Sequence, residues 1–92
     1  MELRHLRYFK VVAELQHFHK AADKLHITQP ALSNQIKQLE QELDTKLFER
    51  VGRGVKLSES GELVLSSAIR ILNEAELLKE SVSDLESGQA GT

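Results

Sequence analysis

The sequence predicts a mainly α-helical fold: three short helices, a small β-hairpin and one long C-terminal helix. Three observations predict it. Apolar residues recur at helical spacing in successive blocks along the chain. Gly52 and Gly54 interrupt a stretch of two short, alternating apolar runs. The last block keeps a 4, 3, 4, 3 apolar rhythm over many turns.

Leu3, Leu6, Phe9, Val12 and Ala13 lie on one helical face and place the first helix over residues 3 to about 15. After Gln16-His17-Phe18, the segment HKAADKL carries Ala21, Ala22 and Leu25, a short second helix whose small alanines admit a close neighbour. Thr28 offers an N-cap oxygen, and Pro30 falls in a first helical turn, where its fixed φ suits the helix and its missing N–H costs nothing. A third helix therefore begins there and ends near Asp44, with Leu32, Ile36, Leu39 and Leu43 as its buried stripe. LFERVGRGVKL then forms the hairpin around Gly52-Arg53-Gly54. Ser58 caps the last helix, with Glu59 and Glu62 in the turn where the helix dipole favours anions. That helix runs to about Glu86, and SGQAGT reads as linker.

Composition narrows the function. Ninety-two residues make one domain with a modest core. Cysteine is absent, which removes disulfides and thiolate metal sites. The start, MELRHLRYFK, is charged and unlike a signal peptide, and no apolar run approaches membrane-spanning length, so the expected location is cytoplasmic. The net charge of −2 hides an asymmetry. Residues 1–58 hold ten Lys/Arg against seven Asp/Glu, whereas residues 59–92 hold two against seven. Salt screens charges beyond about 10 Å, so the basic N-terminal part counts locally.

The third helix carries the most specific pattern. Opposite its leucine stripe lie Pro30, Asn34, Lys37, Gln38 and Gln41, flanked by Ser33: a face that is amide-rich with one positive charge. Planar amides pair bidentately with adenine in the major groove, and serine donates or accepts there. Such a face can be an ordinary solvated one. The preceding short Ala-rich helix and tight turn favour a helix-turn-helix, whose second helix presents its first turns to base edges. In the hairpin, Arg53 lies between two glycines and is flanked by Arg50 and Lys56, a composition suited to phosphate or to a narrow minor groove. The glycines are expected to let this backbone approach an outside surface closely. In the last helix, Val64, Ala68, Ile71, Ala75, Leu78, Val82 and Leu85 form a heptad seam expected to face a second copy, while Leu65, Ile69 and Leu72 pack on the domain. His17, His19 and His26 have poor spacing for a metal, and no nucleophile elbow or phosphate loop is present, so neither metal, cofactor nor catalysis is expected. A protein-interaction module, or a His-dependent metal enzyme, would be the rival readings.

LRHLRYFKVVAE, FHKAADKLHITQPALSNQIKQLEQEL and LFERVGRGVKLSESG together resemble the N-terminal DNA-binding domain of LysR-type transcriptional regulators, over essentially residues 1–87. The resemblance implies a winged helix-turn-helix over 1–58, a linker helix over 59–87 that pairs antiparallel with a second subunit's, and the start of a hinge at 88–92. It implies binding to double-stranded DNA, with two recognition helices in successive major grooves of an interrupted palindrome. Contacts to bases and backbone are implied at Gln29, Pro30, Ser33, Asn34 and Gln35, with Arg50 and Arg53 from the wing. With the residues read from the helix itself, the candidate set becomes Thr28, Gln29, Pro30, Ala31, Ser33, Asn34, Gln35, Lys37, Gln38, Arg50 and Arg53. Two positions depart from the family pattern. Asn34 stands where arginine is common, and Ala31 where a second proline is common; asparagine cannot reproduce arginine's fork onto guanine. The resemblance also implies a C-terminal domain that binds a small-molecule inducer, so this chain is expected to be an excised domain of a longer protein, with higher oligomers an expectation for the whole.

Overall fold

The computed structural model describes residues 1–88. Along them run α1 (Leu3–Leu15), α2 (Phe18–Leu25), α3 (Gln29–Leu43), β1 (Phe48–Val51), β2 (Gly54–Leu57) and α4 (Glu59–Glu86). The strands pair antiparallel, with Arg50 opposite Val55 and Val51 opposite Gly54. Residues 89–92 of the expected hinge lie outside the described residues.

Side-chain oxygens and left-handed residues set the helix ends. Thr28 Oγ1 accepts from the Ala31 N–H at 3.2 Å, so the cap read from the sequence forms and Pro30 lies in the first turn of α3. Ser58 Oγ accepts from the Gly61 N–H at 2.9 Å and donates to the Lys46 carbonyl at 2.7 Å, which ties α4 to the loop before the hairpin. Gln16, His26 and Asp44 end α1, α2 and α3 at φ of 55°, 59° and 53°, a region that disfavours side chains with a Cβ.

The core joins all three short helices to the base of the hairpin and to α4. Leu6, Phe9, Val12, Ala21, Ala22, Leu32, Ile36, Leu39, Leu47 and Ala68 are buried together. Burying each large side chain contributes about 1.5–3 kcal/mol. Phe48 of β1 meets Phe9 at 5.3 Å and Phe18 at 5.7 Å between ring centres, so the root of the hairpin is anchored in the core. Across the surface, the Met1 ammonium lies 2.8 Å from Glu42. That hydrogen bond and charge raise its pKa above the ordinary value.

Two expectations about packing change. Leu43 is 37 % exposed, because it is the last residue of α3 and lies past the edge of the core. Gly54 is required inside the chain itself. A Cβ there would lie 2.6 Å from the Gln16 carbonyl oxygen, which accepts the Val55 N–H at 3.0 Å. Its missing side chain seats the hairpin against the α1–α2 turn. Gly52 supplies the positive φ, 56°, at the hairpin tip.

Candidate nucleic-acid interface

With Leu32, Ile36 and Leu39 turned into the core, the rest of α3 is fixed by the 100° step of the helix. Thr28, Gln29, Pro30, Ala31, Ser33, Asn34, Lys37 and Gln38 are all exposed. No acidic residue lies in the first turn of α3. Gln35 departs from this group. It is half-buried, and its Oε1 accepts from Arg4 Nε at 3.2 Å, so its amide braces α3 against α1 rather than pointing freely outward.

Between α3 and the hairpin lies a cleft of about 430 Å³. Gln29, Ser33 and Lys37 line its α3 wall, and Arg50 and Arg53 its hairpin wall. Thr28, Pro30, Ala31, Asn34 and Gln38 do not line it, so the predicted residues divide between a helix face and a cleft. Lys46 lines the cleft from the loop before β1, and His17 and His19 from the α1–α2 turn and the start of α2. Two carboxylates also border it, each with a partner. Glu40 Oε2 accepts the Leu47 N–H at 2.8 Å, and Glu49 lies 3.8 Å from Lys56. Among the described residues, Lys37, Lys46, Arg50 and Arg53 have no carboxylate partner. The cleft thus presents four unneutralised cations around a polar helix edge.

Sequence reasoning missed His17 and Lys46. His17 caps α2, its Nδ1 accepting the Lys20 N–H at 3.2 Å, a role usually filled by serine, threonine or aspartate. No serine, threonine, asparagine or aspartate at position 17 marks that cap, and Lys46 comes to the cleft only through the folded path of the chain. His26 likewise ends α2.

The long helix corrects the dimer seam in part. Ala68 is fully buried in the chain's own core, and Val64, Leu65 and Leu72 pack against that core. Gly61, Leu65, Ala68 and Leu72 advance by 4, 3 and 4, so the helix rides the domain on a stripe that takes in one seam position, Ala68, and runs beside Val64. Ile69, expected to pack inward, is 38 % exposed. Beyond the domain the stripe loses its cover: Ala75 is still half-buried, Ile71 is 40 % exposed, and Leu78, Val82 and Leu85 are exposed by 66 %, 51 % and 67 %. From Glu76 to Gly88 every residue is exposed.

Three helices, a β-hairpin seated against the α1–α2 turn, and a basic cleft between that hairpin and α3 define a winged helix-turn-helix domain. Comparison with known proteins extends this. Residues 3–62 match the family described as "Bacterial regulatory helix-turn-helix protein, lysR family", and the chain belongs to that family. It is 47 % identical over 91 residues to the HTH-type transcriptional regulator BudR of Klebsiella aerogenes, covering 99 % of this chain and 64 % of that protein. It superposes on the BenM DNA-binding domain in complex with catB site 1 DNA with a TM-score of 0.94 at 46 % identity, covering 99 % of this chain and 98 % of that one. On full-length CbnR complexed with its target DNA the TM-score is 0.86 at 38 % identity, covering 91 % of this chain and 29 % of that one. The chain therefore spans under two thirds of BudR and under a third of CbnR. Among the described residues no helix is long and apolar enough to cross a membrane.

Proposed function

We propose that this chain is the DNA-binding part of a bacterial transcriptional regulator, acting as a homodimer on double-stranded DNA and without catalytic activity. The observation that carries this is the pairing of an exposed, acid-free first turn of α3 with a cleft that holds four unpartnered cations. Residues 1–58 read and hold the duplex. Gln29 and Asn34 set base identity through their amides, assisted by Ser33 and by the nearby Thr28, Pro30 and Ala31. Lys37, Arg50 and Arg53 hold phosphates or a narrow minor groove, and Gln38 lies along the outer edge. Residues 59–87 pair two copies through Ile71, Ala75, Leu78, Val82 and Leu85, since an isolated helix with so many exposed apolar residues gains stability by covering them. Two such domains place their recognition helices about 34 Å apart, one turn of duplex, and so fit an interrupted palindrome. The solved BenM and CbnR complexes with DNA support this reading. In the whole protein, a C-terminal domain takes the small-molecule inducer and supports higher oligomers, and the protein works in the cytoplasm.

Affinity for a duplex measured against salt tests the proposal. Four cleft cations per protomer make eight per dimer. If half to all of them release counterions, log K falls with log salt at a slope of about −4 to −7. Duplex binding that ignores salt, or no binding at low salt, refutes it.

A further inference from the structure

We propose that His17 and Lys46 together hold one phosphate diester of the bound duplex in the cleft between α3 and the hairpin. This contact rests on the DNA-binding reading above and adds to it two residues from outside α3 and the wing.

Both side chains line the same cleft. The backbone around Lys46 is fixed on both sides. Its carbonyl accepts from Ser58 Oγ at 2.7 Å, and the next N–H, that of Leu47, donates to Glu40 at 2.8 Å. Its ammonium, in contrast, has no carboxylate partner among the described residues. A pinned backbone with a free cation is arranged to meet an external anion. His17 supplies the second donor. Its Nδ1 accepts the Lys20 N–H, so in the neutral ring the proton sits on Nε2. The cap thus fixes which nitrogen donates. His19 competes less well, since its Nε2 lies 3.6 Å from Asp23 on its own helix. Of the two bordering carboxylates, Glu40 is held by the Leu47 N–H and Glu49 by Lys56. A diester with one negative charge and two free oxygens can offer one oxygen to the Lys46 ammonium and the other to the His17 Nε2–H. Inorganic phosphate shares that chemistry, so the test separates the two.

The test uses His17→Asn, Lys46→Gln and their double variant, each checked for helical circular dichroism. Asparagine keeps the cap of α2 while removing the ring's outward donor. Binding is followed by fluorescence anisotropy on a duplex selected from a random library, across a salt series. Lys46→Gln is expected to weaken binding about tenfold and to reduce the salt slope by about 0.9 per protomer. His17→Asn is expected to weaken it about threefold to tenfold with the slope unchanged. A methylphosphonate placed at one phosphate per half-site should weaken binding of the unaltered protein and leave the double variant unaffected. If the duplex binds but both variants keep its affinity and slope, the proposal is overturned. Should no methylphosphonate position spare the double variant, it is equally overturned. Displacement of the duplex by inorganic phosphate at matched ionic strength, lost in the double variant, would mark a free-anion site and overturn the diester assignment. If the unaltered protein binds no duplex, the DNA-binding reading fails first and this contact with it.

Discussion

Gly61→Ala separates helix propensity from packing, because the two predict opposite signs. Gly61 lies in the first turn of α4 and is buried. By propensity alone, alanine in a helix is favoured over glycine by about 0.8–1 kcal/mol. The surroundings oppose it. A methyl at Gly61 would strike the Leu47 carbonyl and lie 2.9 Å from Leu57 Cδ2. The leucine tip can turn away, but the carbonyl is backbone and accepts the Ser58 N–H at 2.9 Å. Moving it loses or weakens that hydrogen bond, worth about 1 kcal/mol. Overpacking of this kind costs about 1–3 kcal/mol, which with the weakened hydrogen bond outweighs the propensity gain and leaves a net loss of about 1–3 kcal/mol. For a domain of this size that lowers Tm by roughly 4–24 °C. Urea unfolding followed by circular dichroism, at one protein concentration because dimerisation adds to stability, measures it. DNA affinity should fall as well, since the displaced segment carries Lys46 and leads into the hairpin. A variant more stable than the parent by about 1 kcal/mol would show that the α4–Leu47 contact is not tight, and that the linker helix is not locked to the wing by it.

Other changes carry their own expectations. Gln16→Gly relieves a left-handed residue at the end of α1 and should stabilise by about 0.5–1 kcal/mol in urea unfolding; a loss would show that the glutamine side chain holds the turn. Asn34→Ala should cost about 1–3 kcal/mol on a selected duplex and much less on a random one, whereas equal losses on both would remove it from base reading. Arg53→Ala should weaken binding to all sequences alike and lower the salt slope by about one contact, as titration at several salt concentrations would register. Ile71→Glu with Leu78→Glu should give monomers that keep their helical spectrum in sedimentation; a dimer that persists would place the interface elsewhere.

The local elements were legible because each is written in neighbouring residues. Thr28 and Pro30 start α3, Ser58 starts α4, and Gly52 turns the hairpin. What escaped depends on distant partners. Gln35 looks free in the sequence, yet Arg4, thirty-one positions away, takes its oxygen. Gly54 looks poised for an outside surface until the Gln16 carbonyl is found against it. The heptad reading of α4 changes at Ala68, which the chain's own core buries, because 3.5- and 3.6-residue repeats differ little over two turns. Which repeat governs is decided by where the domain ends, and the domain covers only the first half of the helix. His17 and Lys46 reach the cleft from segments that no local spacing relates to α3.

The central claim is that α3 reads base sequence while the cleft holds phosphates. Equilibrium affinities for a selected duplex and for a scrambled duplex of equal length, measured at one near-physiological salt concentration, test it most directly. The account predicts that the selected site is bound at least about 10³-fold more tightly, the range of specific readers. A ratio near one, with both duplexes bound and both weakened by salt, would leave a basic surface that holds DNA without reading it, and would contradict the account.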